Sequence, residues 1–297
     1  MDSCLAVDVG GTKMAVGLVT EHGTLLGSRR VGTPTTDDAE ELFVVLAALV
    51  DGALARASAI APGPVVACGV GCGGPMSAGG GTVSPLNIPA WRDFPLRARL
   101  EDRTGLRTAV ENDAKALALG EGWQGSARGC RDFLAMVVST GVGGGIVLDG
   151  RMLHGNAGNA GHVGHVVVEP DGRPCACGGR GCLEAEASGH AIAAVTGRPA
   201  ADATPEVVDR SGCLVGRAVA SVVALLDLEL AVVSGSVALG FGTPFFDAAN
   251  RELHRRAGLS YTASAEIVPG GLGADGPLVG AGAVGWRALQ RLAAGIR

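Results

Sequence analysis

The segment from Gly155 to Glu184 concentrates the residues of this chain that can do chemistry. It reads Gly155-Asn-Ala-Gly-Asn-Ala-Gly-His162-Val-Gly-His165, then Cys175-Ala-Cys177-Gly-Gly-Arg-Gly-Cys182-Leu-Glu184. Three thiols and an imidazole in one loop have the ligand number and chemistry of a closed tetrahedral zinc site. Four protein ligands leave no open position, so such a zinc would be structural. It would also hold two further polar groups, His162 and Glu184, rigidly towards a ligand.

Glycine supplies the second signal, with 49 of 297 residues, about twice the usual share of roughly 7%. Much of it follows apolar runs directly, where a backbone must approach a ligand closely. In Asp8-Val-Gly10-Gly11-Thr12-Lys13 a strand-terminal carboxylate can hold a hydrated Mg²⁺, and the turn can wrap phosphate oxygens with its N–H groups. The run Thr140-Gly141-Val-Gly143-Gly-Gly145 can do the same. Neither is a Walker motif or a dinucleotide fingerprint, because the chain returns as a strand and no Gly-Lys-Ser/Thr follows. One such hairpin alone reads as a tight turn. Two in matching positions, one of them with an acid before it, read as a nucleotide-phosphate site.

These residues need elements to position them. Apolar runs predict strands at Cys4–Val9 and Met14–Val19, and a third ending near Val31. A helix is predicted over Asp37–Ile60 with Asp37 or Thr36 as its cap. Then come a strand at Val65–Val70, a helix at Leu96–Thr104 and a strand at Thr108–Glu111. Asn112-Asp113 opens another helix, Ala114–Trp123. A second unit repeats the opening grammar with strands at Phe133–Ser139 and Ile146–Leu148, so that 5–19 and 134–148 read as an internal duplication. Helices are predicted around Gly189–Val195 and Leu214–Leu226, a strand at Leu230–Val233, and a closing helix over Gly276–Ile296. The pattern argues α/β with mixed sheets and a cleft between two lobes; a single domain with a decorated sheet is the alternative.

Composition narrows the function. The chain is long enough for two domains with real cores. It is 47% hydrophobic and 18% charged, with a net charge of −5 from 24 basic and 29 acidic residues and no long block of either sign. Nucleic acid would need a concentrated basic face, and stacking on bases would need more than 3% aromatics. No apolar run is long enough for a membrane span, and the start lacks the features of a signal peptide, so a cytoplasmic protein is expected. The remaining cysteines, Cys4, Cys68, Cys72, Cys130 and Cys213, lie in apolar or Gly-rich surroundings and read as buried, reduced thiols.

Asp8-Val-Gly-Gly-Thr-Lys13, Glu111-Asn-Asp113, Ser139-Thr-Gly-Val-Gly-Gly-Gly145 and Gly164-His165 with Cys-x-Cys-x4-Cys-Leu-Glu184 resemble the ROK family of sugar kinases and sugar-responsive repressors. The match runs in order along nearly the whole chain. It implies a two-lobed, actin-like (ribonuclease-H-like) ATPase fold with a structural zinc loop, whose ligands would be His165, Cys175, Cys177 and Cys182. The Cys-x-Cys spacing is tighter than that of generic zinc fingers and follows the family pattern. The N-terminal lobe would be 1–114 joined by the closing helix 280–297, and the C-terminal lobe 115–279. It also implies Mg²⁺- and ATP-dependent phosphorylation of a hexose, usually at O6, by a homodimer. The repressor branch carries an N-terminal DNA-binding domain, and this chain starts at the first kinase strand, which disfavours that branch. Asp113 would be the general base, although an Asp at a strand-to-helix junction is also an ordinary helix cap. Asp8, Gly10, Gly11, Thr12, Lys13, Thr140, Gly141, Gly143 and Gly235 would serve ATP and its Mg²⁺. Gly74, Asn87, Asn112, His162, His165 and Glu184 would hold the sugar, with Gly73 beside them.

Two positions depart from the family pattern. Many relatives have Glu where this chain has His162, and the family's N-acetylmannosamine kinases have His there. A carboxylate only accepts hydrogen bonds, whereas a neutral imidazole donates one and accepts one. N-acetylmannosamine is therefore placed slightly ahead of glucose, with a sugar-like cyclitol and a sugar sensor without a base as further alternatives. Ser234-Gly235-Ser236 stands where many members have Gly-Gly-Ser, which crowds the expected adenosine edge near Gly270–Gly273.

Overall fold

A computed structural model describes residues 1–293. The chain divides into two compact units. Unit 1 comprises Met1–Gln124, His154–Asn159 and the chain from Ala274; unit 2 comprises Gly125–Leu153 and Ala160–Gly273.

Unit 1 is built on strands β1 (Ser3–Val9), β2 (Lys13–Thr20), β3 (Leu25–Gly32), β4 (Val65–Cys72) and β5 (Thr108–Asn112), in the order β3-β2-β1-β4-β5. β1–β2 and β2–β3 pair antiparallel, while β1–β4 and β4–β5 pair parallel. Every residue of β1 is buried, as expected of a strand covered on both faces. Leu5, Val7 and Val9 pack with helix α1 (Ala39–Leu54) and, after a short α2 (Ala57–Ile60), with α3 (Leu96–Thr104). The opposite face, with Ala6 and Ala15, receives the closing helix Gly276–Ala293 through Leu278 and Ala281. That approach is close: a Cβ on Gly69 of β4 would collide with the Ala281 carbonyl.

Unit 2 repeats the plan. Strands β6 (Phe133–Val138), β7 (Val142–Leu148), β8 (Arg151–Met152), β9 (Leu230–Ser234) and β10 (Glu266–Pro269) lie in the order β8-β7-β6-β9-β10. Again a central strand has an antiparallel neighbour on one side and a parallel one on the other. The helices of this unit are α5 (Leu183–Ala187), α6 (Gly189–Thr196), α7 (Pro205–Leu226), α8 (Ser236–Phe241) and α9 (Thr243–Arg256). α7 and α9 supply most of the helical side of its core.

Several expectations need adjustment. The predicted helix over 37–60 is α1 plus the separate α2, and its cap is Asp38, whose carboxylate accepts from Glu40 N and Glu41 N. Thr36 instead bonds the Glu41 carboxylate at 2.7 Å. The division falls after Gln124, not after residue 114, because α4 (Asp113–Gln124) packs against the closing helix and so belongs to unit 1. The closing helix begins at Gly276, and residues 294–297 of its expected span lie outside the described residues. Gly143, Gly144 and Gly145 are not in a loop; they pair with Val137, Met136 and Ala135 inside β7. No cysteine is in a disulfide, but Cys130 is exposed in the turn before β6 and Cys213 is half-buried beside Asp209 and Arg251. Among the described residues no helix is long and apolar enough to cross a membrane.

Candidate functional site

In unit 1 the expected residues gather at the carboxyl ends of the parallel strands, where open α/β sheets bind ligands. Arg30, Ala15, Asp8, Gly71 and Glu111 form one cross-strand row. Ala15 and Gly71 are small, so Asp8 lies in a trough. A Cβ on Gly71 would stand 3.6 Å from the Asp113 Cα and 3.9 Å from Asp8 Oδ1, which puts the Asp113 backbone and the Asp8 carboxylate beside one glycine. Asp8 is buried. Burial, and after it the Asp113 charge, push its carboxyl up to about 7 against the opposing pull of Lys13 and Arg30. Two acids sharing a trough are the donor chemistry a hydrated divalent cation fits, since its charge reverses that repulsion.

The hairpin after β1 closes with Gly10 N–H donating to Lys13 O at 3.0 Å. Asn87 lies directly on it: a Cβ on Gly11 would come within 2.5 Å of Asn87 Cβ. The Asn87 segment is pinned by Arg92, which donates to the carbonyls of Pro85, Ile88 and Trp91. Trp91 itself is core, stacked on Phe94 at 4.4 Å. Asn112 is partly committed to structure: its Oδ1 accepts Ala114 N at 3.1 Å and Lys115 N at 3.4 Å, so it caps α4. Its Nδ2 faces Gly74, 3.4 Å from where a Cβ would be. Asp113 Oδ1 accepts Ala114 N at 2.8 Å, so the capping geometry and the placement beside Asp8 coexist.

In unit 2 the four expected metal donors come together. One ligand atom from each of His165, Cys175, Cys177 and Cys182 lies within 4.8 Å of the others. Cys177 Sγ and Cys182 Sγ are 3.7 Å apart, as are Cys175 Sγ and His165 Nδ1. Two thiolates on tetrahedral zinc, each at about 2.3 Å, stand about 3.8 Å apart. The donor set therefore fits. Burial, followed by Cys177 and Cys175, pushes the Cys182 thiol up to about 12, a penalty that a bound cation would reverse. The His162 ring lies 6.1 Å from that of His165, at 20°. Glu184 accepts Val142 N–H at 2.9 Å. Gly235 adopts φ 103° at the start of α8, where a Cβ would collide with Val138 O. Ser236 and Ser139 are linked through their hydroxyls at 2.8 Å. Thr140 lies in the same turn and receives His190 N–H.

Sequence reasoning passed over three groups that hold these parts. Glu186, buried, accepts from Arg173 N, Arg173 and Arg210, clamping the cysteine loop to α7. Lys115, buried in α4, donates to Gly158 O at 2.5 Å, while Glu111 faces His154 at 3.6 Å. Together they tie the segment 154–159 to unit 1. Arg30 joins the Asp8 row. The one visible signal was a lysine in an otherwise alanine-rich helix.

Two mixed sheets of like order, the first with a Gly-Gly turn at its central hairpin and the second in the unit that bears a Cys3His cluster, define an α/β protein of a particular kind. The chain belongs to the ROK family, whose sequence model matches residues 4–285. It is 36% identical to a glucokinase of Streptomyces coelicolor over 289 residues, covering 94% of this chain and 85% of that protein. It is 38% identical to an N-acetylmannosamine kinase of Citrobacter koseri over 255 residues, covering 81% and 85%. Its fold matches a ROK family glucokinase from Streptomyces griseus in complex with glucose and AMPPNP, with a TM-score of 0.82 at 30% identity over 96% of this chain and 99% of that one.

Proposed function

We propose that this chain is an ATP-dependent sugar kinase that transfers the γ-phosphate to O6 of a hexose or N-acylhexosamine, on the actin-like plan. The observation that carries the reading is the pairing of Asp8 and Asp113 beside Gly71, next to a glycine hairpin on which Asn87 rests. Asp113 would accept the hydroxyl proton. At a helix start it is a weak base, which suffices because a loose phosphoryl transfer asks mainly for alignment. Asp8 would hold Mg²⁺ through water, and the hydrated ion would neutralise phosphate charge. Gly10, Gly11, Thr12 and Lys13, with Thr140, Gly141, Gly143 and Gly235, would serve ATP. Gly143 would do so from within β7.

Asn87, Asn112 through its amide nitrogen, Gly74, His162, His165 and Glu184 would read the sugar. Zinc on the Cys3His cluster would be structural, fixing the His165 ring with Nδ1 towards the metal and Nε2 free to reach the ligand. His162 supports N-acetylmannosamine ahead of glucose, because an imidazole can both donate and accept beside a C2 substituent. The relatives do not separate the two sugars, since both are named among them at similar identity. A homodimer belongs to the same reading.

The test is ADP release over a panel of glucose, mannose, N-acetylglucosamine, N-acetylmannosamine and a cyclitol. Turnover highest with N-acetylmannosamine supports the full reading, and turnover highest with glucose leaves a glucokinase. ADP from none of them would overturn the kinase in favour of a sugar sensor.

A further inference from the structure

Glu184 stands two residues beyond Cys182, on α5. Only one of its carboxylate oxygens touches the turn between β6 and β7: Oε2 accepts Val142 N–H at 2.9 Å. A Cβ on Gly141 would come within 2.8 Å of that same oxygen, so the carboxylate lies against the turn itself. Just beyond α5 the backbone completes the attachment. Gly189 N–H donates to Ser139 O at 2.7 Å, and His190 N–H donates to Thr140 O at 3.2 Å. The other side of α5 is equally fixed. Leu183 N–H donates to Val166 O at 2.9 Å, and the buried Glu186 takes Arg173 N at 2.6 Å and Arg210 at 2.7 Å. The turn 139–142 and the cysteine loop are thus riveted to one another through 182–190.

We infer that Glu184 is a positioning residue for the phosphate-binding turn and couples nucleotide binding to sugar binding. The inference rests on the kinase reading given above. Oε2 is committed to Val142, which leaves Oε1 for a sugar hydroxyl. A sugar that orders the carboxylate also orders the turn. A nucleotide that orders the turn presents the carboxylate, and the two effects must be equal in size. A charge-assisted hydrogen bond to a backbone N–H is among the stronger single contacts, and its loss changes an equilibrium constant by about one order of magnitude or more.

The experiment measures, by calorimetry, the affinity of a non-hydrolysable ATP analogue with Mg²⁺ for the full chain and for Glu184→Ala, Glu184→Asp and Glu184→Gln. Each is titrated without sugar and with saturating N-acetylmannosamine or glucose, with zinc content and thermal midpoint recorded. Without sugar, the Ala and Asp variants should bind the analogue about tenfold more weakly, since Asp is one methylene too short to span to the turn. The Gln variant should stay within about twofold of wild type, because its amide oxygen can still accept Val142 N–H. Sugar should tighten nucleotide binding in wild type and not in Glu184→Ala; if that variant does not fold, Glu184→Asp decides. Wild-type binding with unchanged sugar-free affinity in the variants overturns the inference and leaves Glu184 a sugar ligand. A wild-type chain that binds no nucleotide overturns the kinase reading and takes the inference with it.

Discussion

Asp8→Asn should make the metal-free protein more stable at pH 8 while abolishing turnover. Asp8 is buried beside Asp113, and its carboxyl sits at about 7 in the folded chain against 3.8 for an ordinary Asp. The folded state therefore holds a proton that the unfolded state has released. The contribution is fully present below about pH 4, shrinks as pH rises, and is gone above about pH 7. The gap of about three pH units corresponds to about 4 kcal/mol at about 1.4 kcal/mol per unit, an upper figure for a site whose neighbours relax. Asn is neutral at every pH and removes that slope.

Urea unfolding of both proteins in EDTA, at intervals from pH 4 to 8.5, reads the difference directly. The variant's advantage should be small at pH 4, grow by up to about 1.4 kcal/mol per unit, and level off near pH 7. Mg²⁺ with an ATP analogue should recover much of the wild-type deficit and none of it in the variant. Parallel curves across that range would show that Asp8 is ionised at no cost, and the paired-acid account of the trough would fail.

Asp113→Asn should lower kcat by about two to four orders of magnitude while sugar affinity and thermal midpoint stay close to wild type; near-normal turnover would return Asp113 to a plain helix cap. Purified protein should carry one zinc per chain by elemental analysis, and Cys177→Ser should lose the metal together with several degrees of thermal midpoint; active protein without zinc refutes the cluster. His162→Glu should move the ratio of kcat/KM values from N-acetylmannosamine towards glucose by about tenfold or more. An unchanged ratio would make His162 neutral in specificity.

Much of the fold was legible because its strands announce themselves. β1, β4, β6 and β9 are short apolar runs bounded by glycine or polar residues, and the duplicated hairpins foreshadow the two like-ordered sheets. α3 was placed to the residue, with Gly105 in the left-handed region as its stop. α9 and β10 were passed over because the charges of α9 hide its apolar stripe, and β10 is only Glu266–Pro269. Glycine misled in one place: Gly144 in β7 gives room to Val163 and Gly161, so it signals close packing and not a loop. Three cysteines and a histidine in one loop, together with the family resemblance, marked the candidate metal donors in the chain, but their approach to within 4.8 Å is a tertiary fact. The commitment of Glu184 to Val142 is tertiary too, whereas that of Asn112 to α4 is a local cap. No one-dimensional pattern says which of a side chain's two oxygens is already taken.

The discontinuity of unit 1 sets an order of events during synthesis. Domains generally fold as units while the chain emerges, yet unit 1 draws on its first 124 residues, on 154–159 and on the chain from Ala274. Its sheet therefore waits with Ala6, Ala15 and Gly69 uncovered until Leu278 and Ala281 leave the ribosome. Unit 2 is complete at Gly273 and can close first, although it is encoded second. A stalled or truncated nascent chain would expose the bare face of β1, β2 and β4, and that face is where a chaperone would be expected to bind.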